Sequence, residues 1–83
     1  MPRLWLVGRE YDDKGLIQLT YATPDGERVH RRELSEHRAD RGAVTAAIER
    51  DDAGLRPADP DERERFAAEA SRMAERHDPD GEV

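Results

Sequence analysis

Tyr11-Asp12-Asp13-Lys14-Gly15-Leu16 and Tyr21-Ala22-Thr23-Pro24-Asp25-Gly26-Glu27 decide the fold, because each places turn-forming residues between stretches that favour strands. Residues 3–11 and 16–22 are rich in aromatic, leucine and β-branched side chains, and Asp12 to Gly15 separates them as a hairpin loop. At Thr23-Pro24-Asp25-Gly26, proline presets φ for a type I turn and glycine suits the positive φ of a bulge, so a second hairpin leads into 27–34. If both loops are three residues long, Asp12 faces Leu16 and Thr23 faces Glu27. Tyr11 then faces Ile17, Val7 faces Tyr21 and Tyr21 faces Val29. Side-chain alternation gathers Trp5, Val7, Tyr11, Ile17, Leu19, Tyr21 and Val29 on one core face. Arg9 and Arg31 fall opposite Leu19 on that face, with stems over apolar surface and guanidinium groups in water.

Towards the C-terminus, Asp59-Pro60-Asp61-Glu62 supplies an N-cap aspartate, proline at the first helical position and acids over the positive helix end. Phe66, Ala67, Ala70, Met73 and Ala74 recur at helical spacing, so the helix lays a narrow apolar stripe on the Trp5 face. Val44 to Glu49 reads as a short fourth strand or as one to two helical turns, and its β-branched residues favour the strand. The expected fold is therefore α+β, with a three- or four-stranded antiparallel sheet made of two consecutive hairpins and one C-terminal helix. Residues 1–77 are expected to form a single domain. The acidic tail 78–83, with Pro79 and Gly81, is expected to be disordered.

Composition narrows the function classes. Thirteen of 83 residues are Leu, Ile, Val or Phe and 34 are charged, which leaves a small core. Residues 1–50 carry nine basic and nine acidic side chains and residues 51–83 carry five and eleven, so the net charge of −6 lies in the last third. Binding to nucleic acid through net charge is disfavoured. With no cysteine there is neither a disulfide nor a thiolate metal site, and the longest uncharged apolar run, Leu4 to Gly8, is too short to span a membrane. A cytoplasmic location is expected by default. Thirteen of the fourteen basic residues are arginine and 20 of 83 residues are acidic; a GC-rich genome favours arginine and aspartate, and a salt-rich cytoplasm additionally favours carboxylates.

No pattern of residues assembles an obvious catalytic site. Histidine is the side-chain type suited to acid–base chemistry near neutrality, yet none of His30, His37 and His77 has a partner at a diagnostic spacing. His30 and His37 with Glu33 or Glu36 make a loose metal grouping, and strand alternation sends His30 and Glu33 to opposite faces. Ser35 and Ser71 lack a nucleophile elbow, the scattered glycines form no phosphate cradle, and Asp12-Asp13 and Asp51-Asp52 read as acidic turns. No catalytic residue, metal, cofactor or small-molecule ligand is indicated.

In the same register the second sheet face carries Leu4, Leu6, Leu16, Gln18, Thr20, Arg28, His30 and Arg32, apolar at one end and basic at the other. One helix covers only one face, so Leu4, Leu6 and Leu16 need cover from residues 35–58 or from a second subunit. The first reading is a small non-enzymatic protein-interaction module, with a homodimer through this face as one form of it. The second is an RNA-binding protein using Arg28, His30 and Arg32, extended by Arg38 and Arg41. Acidic neighbours and tyrosines assigned to the core weigh against the second. A small enzyme using a histidine comes third.

Trp5-Leu6-Val7, the run from Glu10 to Leu16, the run from Tyr21 to Arg28 and the closing Ala74-Glu75-Arg76-His77-Asp78-Pro79-Asp80 resemble short acidic haloarchaeal proteins of unknown function. The resemblance extends over nearly the whole chain. It implies a salt-adapted cytoplasmic origin and brings no assigned catalytic residues. A core of this size contributes no more than about 3–5 kcal/mol, and the last third repels itself. The melting temperature should therefore rise between low and molar potassium chloride, and an unchanged thermal melt would contradict this.

Overall fold

The computed structural model describes residues 2–35, 44–81 and 83. Its strands are β1 (Arg3–Tyr11), β2 (Leu16–Ala22), β3 (Arg28–Ser35), β4 (Ala47–Glu49) and β5 (Arg56–Pro57); a 3-10 turn spans Asp52–Gly54 and helix α1 spans Arg63–Arg76. The five strands form one sheet in the order β4-β1-β2-β3-β5, antiparallel at every pairing, and α1 crosses one face. The α+β class, the two hairpins and the C-terminal helix are as expected. The fourth strand is three residues long and pairs with β1, and β5 is an addition.

The first hairpin follows its expected register. Asp12 N–H donates to Leu16 C=O at 3.0 Å, Asp12 Oδ1 accepts from the Lys14 and Leu16 amides, and Gly15 adopts φ 80°. The second hairpin does not. Thr23 N–H donates to Arg28 C=O and Arg28 N–H returns to Thr23 Oγ1, so the loop holds four residues, Pro24 to Glu27. One additional residue turns every β3 side chain to the other face: Tyr21 lies opposite His30 and Ala22 opposite Val29. A β-bulge between Leu6 and Gly8 does the same to the first half of β1, setting Leu6 opposite Tyr21.

The expected single core face is thereby divided into two. Leu4, Leu6, Ile17, Leu19, Tyr21, Leu34 and Val44 cluster together, with Ile48 and Leu55 packed against them. Trp5 packs with Ala46, Ala47 and Ala70, while Ala22 and Val29 pack with Ala58 and Phe66; Val7 touches both groups. Thus α1 lies on the Trp5 face, as its apolar stripe requires, and presses Phe66 and Ala70 onto it. Tyr11, expected in the core, is 63% exposed at the end of β1.

The helix begins one turn later than expected. Asp59 C=O and Oδ1 accept from the Glu62 and Asp61 amides in a turn over 60–62, and Glu62 takes the N-cap position. The tail lies against the segment around β4. Gly81 N–H closes a turn onto Asp78, and Pro79 and Gly81 carbonyls accept from Ala47 and Ala46, while Val83 N–H donates to Val44.

Gly26 sits against the first turn of α1. At φ 73°, a Cβ there would fall 2.1 Å from the Arg63 carbonyl oxygen and 2.8 Å from the Ala67 nitrogen. Gly26→Ala should cost about 2–3 kcal/mol through strain and overlap with backbone, whereas Gly54→Ala, with nothing within 4 Å, should be near neutral; chemical denaturation checks both.

Asp25 braces the same loop by accepting from Thr23 Oγ1 and Glu27 N–H. These two bonds hold its carboxyl below its ordinary value. A depressed carboxylate contributes stability above its ordinary value and loses it as pH falls through the folded value, so the effect belongs below about pH 4. Wild type should lose more stability than Asp25→Ala on acidification, and at neutral pH the variant should be about 1 kcal/mol less stable. Parallel acid titrations of unfolding would detect the difference.

A candidate site on the basic sheet face

Arg28, His30 and Arg32 alternate along β3 and share one face, as their spacing requires. The register gives them neighbours that sequence reasoning set elsewhere. Arg32 and Arg9 flank Leu19 from either side, and His30 lies opposite Tyr21. Tyr21 is fully buried and its hydroxyl donates to the Thr45 carbonyl at 3.0 Å. Burial raises the phenol's pKa, while Arg32, then Arg9, then the bond to Thr45 and Arg50 draw it back. Net, the hydroxyl stays protonated, and three guanidinium groups stand within electrostatic reach of it.

The cations differ in how they are held. Arg28 pairs with Asp52 at 3.1 Å, an exposed contact contributing less than about 1 kcal/mol. Arg50 donates to the Glu49 carbonyl at 2.8 Å. Among the described residues, Arg9, Arg32 and Arg50 have no carboxylate within ion-pairing distance. Tyr11 lies on the same face as Arg9, two residues along β1, with its ring in water. Arg9 was legible as a cation over Leu19. Tyr11 was misread because its pairing with Ile17 is correct but the apolar cover ends before it, and nothing in the sequence signalled Arg50.

Leu4, Leu6 and Leu16 do not form the exposed patch that the expected register gave them. Leu4 and Leu6 are buried in the chain's own cluster beside Val44, Ile48 and Leu55. Leu16, opposite Ser35, is half-buried and alternates to the α1 side with Gln18 and Thr20. The β1 bulge separates them, and the chain itself covers the face for which a second subunit was one possible cover.

A cleft of about 730 Å³ opens on the opposite side, where β3 and β5 meet the start of α1. Val29 and Phe66 form its floor, and Arg31, Arg56, Asp59 and Glu62 stand among its walls. Glu62 is already paired with Arg65, whose guanidinium lies 5.1 Å from the Phe66 ring centre. Both charge signs meet there, so the cleft selects neither anions nor cations strongly.

His30 and Glu33 take opposite faces, as strand alternation expects. Glu36, His37, Arg38 and Arg41, which completed the metal grouping and extended the basic patch, lie outside the described residues. Among the described residues no three His, Asp or Glu side chains gather as metal ligands, and no helix is long and apolar enough to cross a membrane.

No curated protein matches the chain, and no solved structure does. A single family model covers residues 1–83, and by that match the chain belongs to the family of unknown function DUF7967.

Proposed function

We propose that this chain is a small non-enzymatic binding module whose basic sheet face takes single-stranded RNA. The observation that carries the reading is the placement of exposed Tyr11 beside Arg9, on the face where Arg32 and Arg50 also lack carboxylate partners among the described residues. Guanidinium groups bond phosphate oxygens in planar, bidentate geometry, and an exposed aromatic ring offers a platform on which a base stacks. His30 adds a donor between Arg28 and Arg32.

The net charge of −6 does not oppose this, because the surplus acids lie in residues 51–83 while Arg9, Arg28, Arg32 and Arg50 belong to the first fifty residues, where nine basic side chains balance nine acidic ones. An acidic chain with one basic face resists indiscriminate nucleic-acid binding and leaves the local field to the matched strand. Protein interaction, the first expectation, rested on the absence of a catalytic pattern and on a face with Leu4, Leu6 and Leu16 at its apolar end; Leu4 and Leu6 are buried and Leu16 is half-buried on the other side of the sheet. A salt-rich cytoplasm is part of the proposal, supported by 20 acidic residues against a single lysine among 14 basic ones. There the Coulomb contribution weakens and stacking on Tyr11 matters more.

Fluorescence anisotropy with an RNA of about ten nucleotides, within the usual site size, tests the proposal across a potassium chloride series. Wild type should bind more weakly as salt rises. Joint replacement of Arg9, Arg32 and Arg50 by alanine should flatten the log–log salt slope by about 2. Tyr11→Ala should cost about 1–3 kcal/mol at every salt. The proposal fails if wild type does not bind at low salt, or if both variants bind as wild type does.

A further inference from the structure

β3 runs to Ser35, whereas β5 pairs with it only at Arg28 and Val29. The direction of its backbone groups follows from two bonds. Arg28 C=O accepts from Thr23, so even-numbered residues of β3 turn towards β2; Glu27 C=O accepts from Ala58, so odd-numbered residues turn outwards. Val29 is met by Arg56 of β5. Beyond it, the outward N–H and C=O groups of Arg31 and Glu33 have no backbone partner among the described residues.

An open edge of this kind is a template for another strand, and edges guarded by charge of one sign repel whatever approaches. This edge is not of one sign. Arg31 and Glu33 are both exposed and share a face, two residues apart. We infer that β3 of a second copy of this chain pairs antiparallel with this edge, about a two-fold axis at Arg32, setting Arg31 opposite the partner subunit's Glu33 and Glu33 opposite the partner subunit's Arg31. Charge favours this register on balance: an axis at Arg31 sets arginine against arginine and one at Glu33 sets glutamate against glutamate with no opposite-sign pair, whereas the axis at Arg32 sets Arg32 against the partner subunit's Arg32 on the other face but gains two arginine–glutamate pairs. Because opposite residues in this register both point their backbone groups outwards, each pair exchanges two hydrogen bonds. The pairing joins two sheets into one and brings the two basic faces side by side. It rests on the strand edge alone and holds whether or not RNA is the ligand.

The contact is short, smaller than the roughly 1,200 Å² of standard interfaces, so a weak, concentration-dependent dimer is expected. Sedimentation equilibrium of the full chain without nucleic acid, from about 10 μM to about 1 mM, measures it. Wild type should show a monomer–dimer equilibrium. Arg31→Glu and Glu33→Arg should each weaken dimerisation by about tenfold or more, and the double reversal should restore it. A wild type that stays monomeric throughout, or a dimer indifferent to both single reversals, overturns the inference. If a variant fails to fold, hydrogen exchange of wild type decides: the Arg31 and Glu33 amides must gain protection as concentration rises, and equal exchange at both ends of the range overturns it.

Discussion

Gly26 lies against the backbone of the first turn of α1, and that approach requires the absence of a side chain, since a Cβ would overlap the Arg63 carbonyl. Around it, Asp25 ties Thr23 to Glu27, and Glu27 C=O accepts from Ala58 N–H, which brings in the chain that forms β5 and leads to the helix. One loop therefore sets three things together: the phase of β3, the place where α1 lands, and the edge at which β5 begins.

The loop's length has a second consequence. By holding four residues instead of three it sends Val29 to the helix side and His30, Arg32 and Leu34 to the other. The bulge in β1 makes the matching change, so Leu4 and Leu6 join Ile17, Leu19 and Tyr21. Each irregularity alone would leave apolar groups facing water, because one strand would be out of phase with β2. Together they give the sheet an apolar cluster on each face, with Arg9, Tyr11 and Arg32 standing beside buried Ile17, Leu19 and Leu34 away from β4.

The parts legible in the sequence were those that depend on local chemistry. Asp12 to Gly15 names its own turn, and Phe66, Ala70 and Met73 name a helical face without reference to anything distant. That Arg28, His30 and Arg32 share a face was equally secure, since alternation within one strand survives any error of register. Which residues they meet was not secure, because a one-residue change in the second loop reverses the answer and Thr23-Pro24-Asp25-Gly26 is compatible with either length. The β1 bulge carries no marker stronger than Gly8. The tail's bonds to Val44, Ala46 and Ala47 are backbone bonds made after a long return of the chain, and side-chain composition does not report on those.

The basic face also shows why net charge is a poor guide to what a small protein binds. A Debye length near 10 Å at 0.1 M salt is shorter than this chain's 31 Å long axis, so charge summed over the whole molecule is not what acts at one face. What the proposed ligand would meet is local: Arg32 and Arg9 on either side of Leu19, Arg50 near the buried phenol, and an aromatic ring at the strand end. Tyr21, bonded to Thr45, belongs to the apolar core on the strand between those that carry Arg9 and Arg32, and arginine stems run over such apolar surface while their charged ends stay in water.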